Sequence, residues 1–271
     1  MQIDFHIPEY PLRKYVKSIF CYRGYSGGKK YEMIIPDCAQ QLIIELDGNS
    51  RIFNEFGLAE RSFGKVRCSW IYGLFSRPLT YVSEKNATTM CVQFEPHGLY
   101  MFSGIPAMEF SNKVIESELL LGSSIQLLRE QLLASTSFDQ RVFLMEAYLN
   151  SFINKQNTEA LPFDVFLRYQ YFGRNTLKKI SEDCGWSQRH FISLFHQYIG
   201  TTPKKLQNLQ KINQSLGLLN ESKSGDMTGI AAICGFFDQS HFIKNFKSVT
   251  GMTPREYRIT VKNYPNVLEF D

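Results

Sequence analysis

The sequence predicts an α+β protein. It reads as an N-terminal, mainly antiparallel β domain, a small barrel or cupin-like roll with helices following it, then an all-α domain of two helix-turn-helix motifs joined by a linker helix. Three observations carry this. The residues up to about position 110 alternate in polarity, are rich in aromatic and β-branched side chains, and are punctuated by glycine and proline. From Ser111 onward the apolar residues recur at helical spacing instead. In the final third, one helical pattern that stops, turns on a glycine and restarts occurs twice.

Composition sets the bounds. Hydrophobic residues make up 44% and charged residues 21% of 271, the balance of an ordinary globular protein long enough for two cores. No basic leader with an apolar segment opens the sequence, and no apolar run approaches the roughly 20 residues that span a bilayer. A cytoplasmic protein without a membrane partner is expected. The six cysteines, at 21, 38, 68, 91, 184 and 234, are scattered, which argues against a CxxC redox pair or a zinc ribbon. A zinc site from Cys21, Cys38, Cys68 and Cys91 would lack the short-spaced ligand pairs such sites show. Cys184 and Cys234 each precede a turn glycine and read as small buried hydrophobes. The five histidines show no His-x-His or His-x-x-x-His spacing. No metal, cofactor or catalytic set is therefore expected. Net charge is +4, but from Phe172 onward 13 Lys and Arg face 8 Asp and Glu, so the positive charge sits with the duplicated motif.

In chain order, strands are expected at 15–22, 31–35, 41–46, 66–74, 79–82 and 89–94. The segment from Gly24 to Lys30 has too few residues between its glycines for a phosphate loop and no Ser or Thr after its lysine, and reads as a hairpin loop. His97 reads as a turn residue at a helix start. Ser124 is expected to cap a helix buried through Ile125, Leu128 and Leu132, and Asp139 the next, through Val142, Met145, Leu149 and Phe152. The polar stretch after Ile153 reads as a linker, giving an N-terminal domain over 1–153, a linker over 154–161 and a DNA-binding domain over 162–262. A short helix over 162–171 opens the last of these. Thr202-Pro203 then starts a longer helix through Leu206, Leu209, Ile212 and Leu216 to Leu219, which joins the two copies. The tail after Tyr264 shows no readable role.

The duplication is detailed. Ile180, Cys184, Gly185 and Trp186 match Ile230, Cys234, Gly235 and Phe236 at an offset of 50; His190, Phe191, Ile192, Phe195, Gly200, Thr202 and Pro203 match His241, Phe242, Ile243, Phe246, Gly251, Thr253 and Pro254 at 51. The extra residue lies in the turn, where Ser187 and Asp238 become equivalent N-caps. The second helix of copy one buries Phe191, Leu194, Phe195 and Tyr198 and presents Arg189, Ile192, Ser193 and His196 on the other face; copy two presents Ser240, Ile243, Lys244 and Lys247. Such a stripe suits a major groove, where Arg binds guanine in bidentate fashion, Ser donates or accepts, and an aliphatic side chain meets the thymine methyl. Gln188 and Gln239 follow the caps, where backbone amides face phosphate. The expected nucleic-acid partner is double-stranded promoter DNA.

On these residues the chain resembles the AraC/XylS family of bacterial transcription regulators, from Thr176 to Arg258. The match is carried by Ile-x-x-x-Cys-Gly-Trp-Ser-x-x-His-Phe-x-x-x-Phe in copy one and by Ile230 to Arg258 in copy two. Lys211 stands where the family usually has Arg, and Ser215 where it has Ala; a phosphate contact or close packing there is expected to be weaker. The resemblance implies a regulator whose N-terminal domain senses a small-molecule effector or self-associates as a homodimer, with RNA polymerase as a further partner. Ile35-Pro36-Asp37, the segment from Tyr72 to Pro78 and that from Val92 to Gly98 resemble a β-rich domain of undefined role found ahead of such motifs. The rival readings are a metal-dependent alkyl-transfer repair domain fused to a DNA reader, and an N-terminal half that only dimerises or binds a protein.

Overall fold

A computed structural model describes residues 1–48, 50–55, 62–83, 85–153, 177–183, 185–221, 226–261 and 267–270. Alternating polarity in the first part of the chain builds two antiparallel sheets. One holds, in spatial order, β1 (Gln2–His6), β2 (Val16–Tyr25), β9 (Ala87–Phe94), β4 (Gln40–Glu45), β7 (Ser69–Tyr72) and β10 (Val114–Glu116). The other holds β11 (Val267–Phe270), β3 (Tyr31–Ile34), β8 (Leu79–Val82), β5 (Ser50–Glu55) and β6 (Ser62–Arg67).

Register decides what each face does. Ile19 pairs with Val92, Val92 with Leu42, and Leu42 with Ile71, so these four apolar residues form one row across the six-stranded sheet. Helices cover that row: α1 (Gly98–Ser103), the short α2 (Glu118–Leu121), α3 (Ser124–Ala134) and α4 (Phe138–Ile153). Ile125, Leu128 and Leu132 of α3 and Val142, Met145 and Leu149 of α4 share the sheet's core, as their spacing predicts. The opposite face, through Trp70 and Tyr72, meets the second sheet at Leu79 and Tyr81.

The all-α part follows the duplication. Helices α5 (Leu177–Asp183) and α6 (Gln188–Tyr198) form the first motif, α7 (Pro203–Glu221) the connection, and α8 (Met227–Ile233) and α9 (Gln239–Thr250) the second motif, with α10 (Pro254–Thr260) behind it. The outer face of the five-stranded sheet carries this part, because Met33 and Ile35 share a core with Leu209, Ile212 and Leu216 of α7 and with Phe242 and Phe246 of α9.

Several expectations change. The single strand expected over 66–74 is broken at Cys68, whose φ of 63° is left-handed, and its halves join different sheets. Strands β1, β5 and β10 were not expected, and the tail supplies β11, which pairs with β3. The segment from Gly24 to Lys30 is not a hairpin loop: β2 and β3 do not pair, and it crosses from one sheet to the other. Ser124 does not cap α3; its hydroxyl donates to Leu121 O. Ser137, not Asp139, accepts at the start of α4, from Gln140 N. The linker and the helix expected over 162–171 lie outside the described residues.

Candidate nucleic-acid interface

Both motifs turn in the same way. Gly185 and Gly235 adopt φ of 69° and 72°, a region open to glycine at little cost. Trp186 N donates to Ser181 O at 2.8 Å and Phe236 N to Ala231 O at 2.9 Å, the long-range closure of a helix C-terminus. The ring after each glycine packs edge-on to a histidine, Trp186 to His190 at 5.4 Å and Phe236 to His241 at 5.7 Å, and beside the first buried phenylalanine, Phe191 or Phe242. Ser187 then accepts from His190 N at 3.2 Å and Asp238 from His241 N at 2.7 Å, so each second helix starts on the expected cap.

These caps set the rotation of α6 and α9. Phe191, Phe195, Phe242 and Phe246 are fully buried; Leu194 and Tyr198 are only half-buried against the same core as Phe191. On the other side Gln188, Arg189 and Ser193 of α6 are exposed, with Ile192 and His196 half-buried at its edges. In α9, Gln239, Ser240, Lys244 and Lys247 are exposed. Ile243 is not: it packs against the core of the second motif, so packing accounts for an aliphatic side chain at this position. Gln239 accepts from the Thr228 hydroxyl at 3.1 Å, which orients it across the turn. Lys247 lies near Glu256, whose carboxyl is held below the usual range by Thr253 N–H and hydroxyl and, more weakly, by that lysine.

The connecting helix α7 buries Leu206, Leu209, Ile212, Leu216 and Leu219 along one stripe. Ser215 is fully buried there, and its hydroxyl donates to Ile212 O at 2.7 Å, so the polar group is satisfied within the helix. Lys211 Nζ donates to Gly235 O at 2.6 Å and lies 5.5 Å from the Phe236 ring centroid. It thus pins α7 to the turn of the second motif, putting a cation on carbonyls left open where α8 ends.

The end of α6 is held by the β domain, which sequence reasoning missed. Gln197 Nε2 donates to Tyr100 OH at 3.2 Å, and the Tyr100 and Tyr198 rings meet edge-on at 4.6 Å. Gln40 Nε2 donates to Ile199 O at 3.3 Å, the Ser111 hydroxyl donates to Gly200 O, and Asn213 Nδ2 donates to Pro36 O at 2.8 Å. Leu74 of the β domain shares a core with Phe191, Phe195, Ile199 and Leu206. Gly200 has φ of 86°, and a Cβ there would lie 2.6 Å from Ala107 O, so both the turn and the close approach require glycine. The Gly200 match to Gly251 signals a turn but not this contact.

Among the described residues no group of three His, Cys, Asp or Glu side chains is gathered that could hold a metal ion. None of their helices is long and apolar enough to cross a membrane. Residues 180–259 match the model of a family described as a helix-turn-helix domain. That region is an AraC-type helix-turn-helix domain. Residues 4–116 match a second model, described as a domain of unknown function, DUF6597. An uncharacterized helix-turn-helix-type transcriptional regulator of Bacillus subtilis, YisR, is 30% identical over 93 residues, 34% of this chain and 32% of that protein. LumQ of Photobacterium leiognathi, described as a probable transcriptional regulator, is 28% identical over 76 residues, 28% of this chain and 30% of LumQ. These matches thus span about a third of the relatives' own lengths. Among solved structures, ToxT of Vibrio cholerae aligns over 90% of this chain and 98% of its own, with 12% identity and a TM-score of 0.47.

Proposed function

We propose that the chain is a sequence-specific DNA-binding transcription regulator whose β domain governs how its two motifs are presented. The observation that carries the reading is the pair of capped helices, α6 and α9, with exposed Gln188, Arg189 and Ser193 on one and Gln239, Ser240, Lys244 and Lys247 on the other. The helix between them has 19 residues, a length of ~28 Å at 1.5 Å per residue. That is comparable to the roughly 34 Å between successive major grooves on one side of B-DNA. Arg189 reads a guanine, Ser193 and Ser240 meet base edges or phosphate, Ile192 and Ile243 present what apolar surface they keep to thymine, and Lys244, Lys247 and His196 hold the backbone.

The β domain is read as the modulator because it grips Gln197, Ile199 and Gly200 at the end of α6. We place a small-molecule effector in the cavity of about 400 Å³ between Lys17, Asp37 and Glu95 on the β domain and Gln210 and Asn213 on α7. Burial raises the Asp37 and Glu95 carboxyls there, with Lys17 opposing it. RNA polymerase as the downstream partner, and a homodimer, complete the reading.

Selection of bound sequences from a random duplex pool by the purified full chain tests the core of it. Enrichment of two short segments about one helical turn apart is expected; recovery of unbiased sequence would refute sequence reading. Sizing across a concentration series tests the homodimer, and thermal shift against a metabolite panel, repeated with Asn213→Ala, tests the effector site.

A further inference from the structure

An edge strand offers unpaired backbone groups to any other chain, and proteins blunt it with a very short strand, a lysine, a proline or a bulge. Three of the sheet edges are dealt with in this way or turned inward. β10 has three residues, β6 carries Lys65 and a register shift against β5, and β11 turns Leu268 into the core beneath α7. β1 is different. It pairs with β2 through all five residues without a shift, it holds no lysine or proline, and no other described strand pairs with its outer edge. Its alternate residues divide by face. Asp4 and His6 turn to the helix-covered side, where they bond Arg23 and Glu146 of α4. Ile3 and Phe5 take the other side and are 51% and 60% exposed, with Ile7, 52% exposed, next at the same spacing. Opposite them on β2, Tyr22 and Phe20 are only half-buried, so the apolar row continues inward from the edge.

We infer that this edge is where a second copy of the chain pairs, β1 against β1, antiparallel about a two-fold axis at Phe5; the inference rests on the homodimer reading and names its interface. A two-fold axis normal to the sheet keeps every side chain on its own face, so one residue must lie opposite its own copy. With Asp4 there, carboxylate faces carboxylate, which destabilises a cross-strand pair. With His6 there, Asp4 falls opposite Pro8, which has no N–H to give. With Ile3 there, His6 and Ile7 are left without a cross-strand mate. Phe5 on the axis satisfies every position: Ile3 meets Ile7 twice, Phe5 meets itself, and Asp4 meets His6 twice. The apolar pairs cover the exposed row. On the other face a line of alternating acid and base forms, from Glu146 and His6 of one copy to Asp4 and Arg23 of the next. Apolar and opposite-charge pairs directly across a ladder are those that stabilise a sheet, and none of the bonds already made by Asp4 or His6 has to break.

The test is sedimentation of the full chain across a concentration series, with the dimer Kd read for each variant. Ile3→Lys/Phe5→Lys removes the apolar row and sets like charges across the axis, and should raise that Kd by roughly ten-fold or more. Leu127→Lys/Phe143→Lys, which charges exposed apolar positions on α3 and α4, should leave it unchanged. A second measurement does not depend on how the lysine variants fold. Residues directly opposite in an antiparallel pair have Cα atoms about 4.5–5.5 Å apart, a span that a disulfide bridges. Under mild oxidation Phe5→Cys should therefore form a covalent dimer. Tyr10→Cys, more exposed but outside the paired segment, should stay at the background set by wild type with its exposed Cys68. A dimer that survives Ile3→Lys/Phe5→Lys, a Phe5→Cys yield no higher than that of Tyr10→Cys, or equal weakening by Leu127→Lys/Phe143→Lys overturns the β1 interface and leaves the homodimer standing. A wild-type chain that is monomeric throughout the series overturns both.

Discussion

Lys211→Met separates a structural cation from a DNA-binding one, because the variant keeps most of the stem and removes the charge. In the folded chain Nζ makes one charge-assisted hydrogen bond, to Gly235 O at 2.6 Å, and lies 5.5 Å from the Phe236 centroid. A hydrogen bond to a charged group contributes about 1.5–3 kcal/mol when well shielded. The side chain is half-exposed, so the lower end applies, roughly 1.5 kcal/mol with the contribution of the ring included. A loss of that size lowers the melting temperature by about 2–4 °C per kcal/mol for a chain of this order. Chemical denaturation should therefore show a loss of about 1–2 kcal/mol, with Lys211→Arg near wild type, since a guanidinium also reaches the carbonyl and the ring. The decisive measurement is the salt dependence of DNA binding. With Lys211 acting as a pin, Lys211→Met weakens binding through misplacement of the second motif and leaves the slope unchanged. A slope lower by about one unit with unaltered stability would refute the structural assignment and make Lys211 a phosphate ligand.

Other outcomes follow from single residues. Arg189→Ala should cost about 1–3 kcal/mol on the selected duplex and relax preference at one position, whereas Lys247→Ala should weaken all sequences alike; equal losses on selected and random DNA for Arg189→Ala would remove its base-reading role. Burial lowers the His97 pKa to about 4 from an ordinary 6.5. The unfolded chain thus binds more protons there, and stability falls as pH drops through that window, by about 2 kcal/mol between pH 7 and 5. Urea midpoints of wild type and His97→Gln should converge on acidification, and parallel pH profiles would exclude the effect. Leu268→Ala empties a site that is 1% exposed in the core beneath α7 and should cost about 2–5 kcal/mol. A loss below 1 kcal/mol would show that β11 is not packed there in solution.

The all-α part was legible because its constraints are local. Ser187 and Asp238 cap helices that begin one residue later, Gly185 and Gly235 turn where no other residue does so as cheaply, and the Phe pairs four apart face inward. The β part was legible only as texture. A two-residue period marks a strand but not its partner, so the continuous reading over 66–74 concealed the break at Cys68, and Gly24 to Lys30 passed for a hairpin loop while joining two sheets. Helical spacing places Ile192 and Ile243 on the exposed faces, because it sets angles around one helix and knows nothing of what packs on its edge.

By itself, then, the sequence determined the starts of α6 and α9, the glycine turns before them, the buried stripe of α7 and the exposed polar residues of α6 and α9, since each depends on residues within a few positions of one another. Only the tertiary structure decided that the tail returns as β11 beside β3, that Gln40, Tyr100 and Ser111 hold the end of α6, and that Lys211 pins the second turn. Those contacts join residues 24 to 239 positions apart, mostly through single polar groups. Their energy comes from geometry that forms once both surfaces exist, and no local pattern records it.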